Sequence, residues 1–221
     1  MHPIVSTVTL VAGVANGYVT VQALPAAGAL TLDGSLVNAA GVGVPDSPRR
    51  VIISSGGNDS GLTFTINGTA RPEMGGSALS EKLAGTNAGT AQSVNDFATV
   101  TSIVSSGAVA TTVTAGTNGV GSGPWVPWSR QGTLMGNFLV SGVGYVLSGA
   151  PQWGVEYTYD DVFGLWLPAG TFPRAISLPA LPPNVANASG SDFVINAPIT
   201  ASRLTLNSLG SVQLTQEQLG T

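Results

Sequence analysis

The chain has no cysteine, one histidine and one lysine among its 221 residues. Without thiols there is neither a disulfide framework nor a thiolate metal site. The one histidine, His2, follows the initial methionine, so no histidine-based triad or zinc centre is expected inside a folded domain. Charge is scarce too, at 8% of residues, against roughly a quarter in an average soluble domain. Seven basic residues are scattered along a chain of net charge −4, and Arg49-Arg50 is the only basic pair. Nucleic-acid binding needs clustered cations to release counterions, so no nucleic-acid partner is expected. The Arg49-Arg50 pair reads as the solvated flank of a strand end, with a contact at an interface as the alternative.

Long apolar runs are missing as well. Mean hydropathy is positive, +0.31, yet the charge-free windows 97–129 and 131–155 are interrupted every few residues by Gly, Ser, Thr, Asn or Pro. No stretch of about 20 apolar residues is present to span a bilayer as a helix. Aromatic content of 6% is thin for the girdles of a membrane barrel. No membrane association is expected, and the N-terminus lacks the basic start of a secretory signal.

What remains is glycine (30 residues) with alanine, serine, threonine and valine. In "RRVIISSGGNDSGLTFTINGTA" (Arg49–Ala70), Leu62, Phe64 and Ile66 alternate with Thr63, Thr65 and Asn67, the period of a half-buried strand. Gly56–Gly61 reads as a turn and Asn67-Gly68 as the next, making a β-hairpin with threonines outside. Ile4–Leu10 and Tyr18–Gln22 read as strands around Ala15-Asn16-Gly17. Ala78–Gly85 fits either two helical turns or a short strand with Leu79, Glu81 and Leu83 on one side. Short strands, regular turns and no firm helical period predict an all-β chain of sandwich or barrel-like units. Neutral polar faces can meet a partner without stripping water from ions, which suits an assembly.

Two stretches echo one another, Asn87–Gly116 and Asn187–Gly220, and upstream Gly61–Ala70 corresponds loosely to Trp153–Val162. The expected organisation is an N-terminal β-prone arm (1–48), a first β unit (49–121) and a second (122–221). The arm reads as a strand to donate to a neighbour, removable without unfolding the rest. In "GPWVPWSRQG" (Gly123–Gly132), Pro124 and Pro127 exclude central-strand pairing. Trp125 and Trp128 read as a plug for the second unit's core, with an interface anchor or a sugar-stacking platform as alternatives.

Little is left for chemistry. A Ser80–Lys82 dyad lacks any supporting motif. Glu156, Asp160 and Asp161 are candidate oxygen ligands for Ca²⁺ or a glycosidase acid pair, but Asp160-Asp161 reads better as a turn. The Gly57–Gly61 loop is followed by neither a helix nor a lysine, so it is no phosphate loop. Asn58, Asn67 and Asn187 begin glycosylation-type triplets that read as turn residues. No catalysis, cofactor or metal is expected.

"LPAAGALTLDGSLV" (Leu24–Val37), "DSPRRVIISSGGNDSGLTFTINGTA" (Asp46–Ala70) and "GSALSEKLAGTNAGTAQSVNDFATVTSIVSSG" (Gly76–Gly107) resemble a family of small β-rich structural proteins of tailed bacteriophages. "GVEYTYDDVFG" (Gly154–Gly164) and "ITASRLTLNSLGSVQLTQEQ" (Ile199–Gln218) are similar to the second half of the same proteins. "TARPEMGG" (Thr69–Gly76) and the tryptophan-proline segment depart from the pattern. The resemblance implies a non-enzymatic virion subunit, homo-oligomeric, contacting capsid, portal, connector or tail proteins. The neck or tail is the expected location. The alternatives are a head decoration protein and a carbohydrate-binding host-recognition module.

Overall fold

The computed structural model describes residues 3–71, 77–128, 139–162 and 173–219. Every regular element among them is a strand. The chain forms two compact units, 12–118 and 1–11 with 119–221, here the N-terminal and C-terminal units.

Strand β1 (Ile4–Leu10) belongs to the C-terminal unit. The N-terminal unit follows with β2 (Val19–Gln22), β3 (Gly28–Ala29), β4 (Arg49–Ser55), β5 (Thr63–Thr69), β6 (Ala78–Ala84), β7 (Thr90–Phe97), β8 (Thr99–Ser105) and β9 (Val113–Ser122). Its strands lie in the orders β2-β9-β4-β7 and β3-β8-β5-β6. Strand β9 runs on into the C-terminal unit, where Gly121 and Ser122 pair with Leu206 and Thr205. The C-terminal unit continues with β10 (Val126–Pro127), β11 (Leu139–Gly149), β12 (Trp153–Thr158), β13 (Ile176–Ser177), β14 (Ser191–Ile195), β15 (Ala201–Leu206) and β16 (Gly210–Leu219). Its orders are β1-β16-β11-β14 and β10-β15-β12-β13.

The two units have the same topology, strand for strand. Reading β2, β3 and β4 through β9 against β1, β10 and β11 through β16, each strand has the same neighbours and changes sheet at the same steps. In both units only the fifth strand pairs with the one before it, as β5–β6 and β12–β13 hairpins. The other connections cross from one sheet to the other. Eight strands so ordered in two sheets make a jelly roll. The C-terminal roll is discontinuous, because its first strand precedes the whole N-terminal roll.

Alternation builds each core. In β5, Phe64, Ile66 and Gly68 are buried while Thr63, Thr65, Asn67 and Thr69 are half-exposed. The outward threonines and asparagine join strands sideways: Asn67 Nδ2 donates to Ser102 Oγ at 2.9 Å, Ser80 Oγ donates to Asn67 Oδ1 at 2.8 Å, and the Thr69 and Thr99 hydroxyls meet at 2.8 Å. Such cross-strand pairs stabilise a sheet by about 0.2–1 kcal/mol each. That explains threonine where lysine and glutamate are usual: the outer face is held by neutral hydrogen bonds. In the C-terminal unit, Val8, Val140, Phe193, Val212 and Leu214 of one sheet meet Trp153, Val155, Leu204 and Leu206 of the other. Gly144 is needed there, since a Cβ would lie 2.1 Å from the Trp153 ring.

Several expectations need correction. Arg49–Ser55 and Thr63–Thr69 form no hairpin; they lie in opposite sheets, and Gly56–Gly61 carries the chain between them. Asn67-Gly68 is no turn but the interior of β5, where the register against β8 shifts. Glycine is required because a Cβ would sit 1.9 Å from the Thr99 carbonyl oxygen. Ala78–Ala84 is a strand, not a helix. Residues 1–48 are no separate arm. β1 pairs with β16 from Ile4↔Gln216 to Leu10↔Gly210. Tyr18, Val19 and Leu30 are buried in the N-terminal unit, so removing residues 1–45 would take strands from both rolls. The units meet in sequence at 118/119 rather than 121/122.

Candidate interaction surface

Arg49 opens β4 with the parity of Val51 and Ile53, so its side chain points inward and is fully buried. The solvated reading therefore fails for Arg49. Its guanidinium pairs with Asp46 at 2.6 Å and donates to the Asn118 carbonyl at 3.0 Å. The Tyr18 phenol is buried close by, and burial pushes its pKa up, partly countered by the Arg49 charge. Arg50 has the opposite parity. It stays partly exposed and forms a loose pair with its cross-strand neighbour Asp96 at 3.5 Å.

The tryptophans are inside as well. Trp128 is 7% exposed, sits in the C-terminal core, and donates its indole N–H to Ser202 Oγ at 2.8 Å. Ser202 passes the chain on to Gln216 Oε1 at 2.7 Å. Trp125 is 6% exposed, and the Arg203 guanidinium lies 4.5 Å from its ring centroid, a cation–π contact. Arg203 Nε and Nη2 both reach Glu156 Oε2, at 2.9 and 2.7 Å, across a directly opposed β12–β15 pair. Neither indole offers an open stacking face to a sugar. The Trp125–Arg203–Glu156 stack went unread because it rests on the β12–β15 register, which joins residues far apart in sequence.

The carboxylate candidates do not converge. Glu156 is committed to Arg203. Asp160 lies past the end of β12 in a bend and accepts the Arg174 backbone N–H at 2.6 Å. Ser80 is bonded to Asn67, and Lys82 is exposed on β6. No group of three or more His, Asp or Glu able to hold a metal occurs among the described residues. Asn58 does serve as a turn residue, its Oδ1 accepting from Ser60 N at 3.3 Å and Ser60 Oγ at 2.8 Å. His2, Glu73 and Arg130 lie outside the described residues.

The surface with most to offer a partner is the outer face of β1-β16-β11-β14. Strand parity and register place Val5, Thr215, Val143 and Asp192 in one row across it, with Thr7, Gln213 and Tyr145 in the next. Val5 is 54% exposed, Val194 57% and Tyr145 46%. An open depression of about 440 Å³ lies between β11, β14 and β16, lined by Ser141, Val143, Asp192, Val194, Thr215 and Glu217 among others. Its charges are the two carboxylates of Asp192 and Glu217, with no basic residue in the lining. Away from those two carboxylates the face combines valines and a tyrosine with hydroxyls and amides, which cost less to dehydrate than ions. Alternation alone marked its strands in the sequence, but the assembly of four distant strands into one face was not readable. Comparison with protein-family models, curated proteins and solved structures finds no match to this chain.

Proposed function

We propose that the chain is a non-enzymatic structural subunit of a tailed-phage particle, located at the neck or tail as a connector, collar or fibre-attachment protein. One observation carries the assembly part of this reading: the half-exposed valines and tyrosine on the outer face of β1-β16-β11-β14. Fully burying a valine-sized side chain is worth about 1.5–3 kcal/mol, so covering even part of this face favours association. The fold is compatible, since jelly rolls recur in viral capsid and lectin domains, although a fold by itself does not assign a function. The particle itself is argued from the sequence resemblance across most of the chain.

Immunogold electron microscopy of intact particles, with antibody to this chain, tests the reading. Label confined to one vertex or to the tail is the expected result. Label over the whole head would replace it with a decoration role, and particles without label would refute it.

A further inference from the structure

We propose that the outer face of β1-β16-β11-β14 docks a segment of another protein in which lysine or arginine stands beside apolar side chains, with its cations on Asp192 and Glu217. The inference rests on the assembly part of the function proposed above and not on the phage part; it names the chemistry of the partner.

The first observation is how the depression is built. β14 and β16 flank β11, and the register sets Thr215, Val143 and Asp192 in one row and Glu217, Ser141 and Val194 in the next. The two carboxylates therefore occupy diagonal corners, with Val143 and Ser141 between them. Asp192 is exposed and Glu217 half-exposed. Glu217 leans over the middle strand, its Oε1 3.5 Å from Ser141 Oγ. The apolar part adjoins them: Val143 and Val194 line the depression itself, Val5 ends the Asp192 row, and Tyr145 stands in the row beyond.

The second observation is the sign and use of the charge. None of the four strands contains lysine or arginine. Elsewhere the chain directs its carboxylates to its own groups: Asp46, Asp96 and Glu156 to arginines, and Asp59, Glu81 and Asp160 to backbone N–H groups. Asp192 and Glu217 stand apart. Among the described residues, the only side-chain hydrogen bond of either carboxylate is the long one to Ser141, too stretched to be strong.

Together these select the occupant by charge complementarity. Covering the valines removes apolar area from water, which favours association. It also strips water from two carboxylates, which is costly unless cations meet them. A partner that supplies apolar side chains and positive charge together satisfies both conditions. A second copy does not, because two such faces would oppose their carboxylates with no cation between them. Nucleic acid and anionic lipid carry the wrong sign. Complementarity of this kind acts on specificity and on the rate of encounter.

The test is an NMR titration of the isolated full chain with short capped peptides. A peptide of alternating valine and lysine should bind, with amide shifts centred on Ser141, Val143, Asp192, Val194, Thr215 and Glu217. A valine–glutamate peptide should not bind, and a serine–lysine peptide should bind more weakly. Asp192→Asn combined with Glu217→Gln should weaken the valine–lysine peptide at least about fivefold. Added salt should weaken it on the wild type. The proposal is overturned by a valine–lysine peptide that does not bind or that shifts residues elsewhere. Equal binding of either control peptide overturns it too, as does an affinity indifferent to the double variant. If tryptophan fluorescence shows that the double variant does not fold, the control peptides and the salt series decide. The outcome is separable from the particle test: unlabelled particles would refute the phage reading and leave a peptide result standing, and labelled particles would not rescue a chain that binds no basic peptide.

Discussion

Trp128 gives the sharpest test of the core assignment. Its side chain is almost wholly buried in the C-terminal roll and starts a buried chain of hydrogen bonds, Trp128 to Ser202 to Gln216. Trp128→Ala removes a large buried aromatic surface and leaves a void, a change that costs about 3–5 kcal/mol. Trp128→Phe keeps most of the burial and deletes the indole donor; Ser202 keeps its bond to Gln216, so the hydrogen-bond part of the loss is only about 0.5–1.5 kcal/mol. Ser202→Ala is harsher on polar grounds, because it strands both a buried indole N–H and a glutamine oxygen, at about 1–3 kcal/mol each. The double variant Trp128→Phe/Ser202→Ala no longer has the stranded N–H. It should cost less than the sum of the two single changes by about 0.5–3 kcal/mol. All four tryptophans fall within residues 119–221, so tryptophan fluorescence in a urea titration reports the C-terminal roll selectively. A loss below about 1 kcal/mol for Trp128→Ala would refute the core assignment. Strict additivity in the cycle would refute the buried chain.

Three further outcomes follow from the same geometry. Gly68→Ala forces a methyl against the Thr99 carbonyl inside β5 and should cost the N-terminal roll about 1–3 kcal/mol in chemical denaturation followed by circular dichroism. Glu156→Gln leaves the nearly buried Arg203 without its counter-charge and should cost about 3–5 kcal/mol, whereas replacing both by leucine and methionine should be close to neutral; equal losses would refute the pairing. The raised Tyr18 pKa means that the folded state holds the phenolic proton more tightly than the unfolded one. Its contribution is constant below the unfolded value of about 10 and is lost above it, by up to about 1.4 kcal/mol per pH unit. Tyr18→Phe should flatten that part of the alkaline decline, measured as the difference between the two stability–pH curves.

Local signals were legible and distant ones were not. Ile4–Leu10 is a strand over the range its pattern predicts, and the parity of Leu62, Phe64 and Ile66 holds, because a period of two is a property of the segment itself. The echo of 87–116 in 187–220 falls on β7–β9 and β14–β16, which occupy equivalent places in the two rolls. The hairpin at Arg49–Thr69 failed because a Gly-rich turn has the same composition whether it folds a strand back or carries it to the facing sheet. Asn67-Gly68 carries a turn signal, yet the glycine answers to the Thr99 carbonyl on β8, distant in sequence, that no local rule could foresee. Arg49 shares the parity of Val51 and Ile53, so the alternation of β4 does mark its side chain as inward, against the general tendency of charge at a strand end to be solvated.

The scarcity of charge and the shape of the surface are linked through where the charges went. Arg49 with Asp46, Arg203 with Glu156 and Arg50 with Asp96 are ion pairs, and the first two hold arginines that are almost wholly buried. Glu81 binds the backbone of β7. Charges used in this way fix strand ends and registers. Each buried pair is costly to break, although it adds little over an apolar replacement. Most of the outer-face positions are therefore left to threonine, serine, asparagine, glutamine and valine, with Asp192 and Glu217 as the charges around the depression on β11, β14 and β16. A monomer that depends on charge to stay dispersed is poorly served by this arrangement.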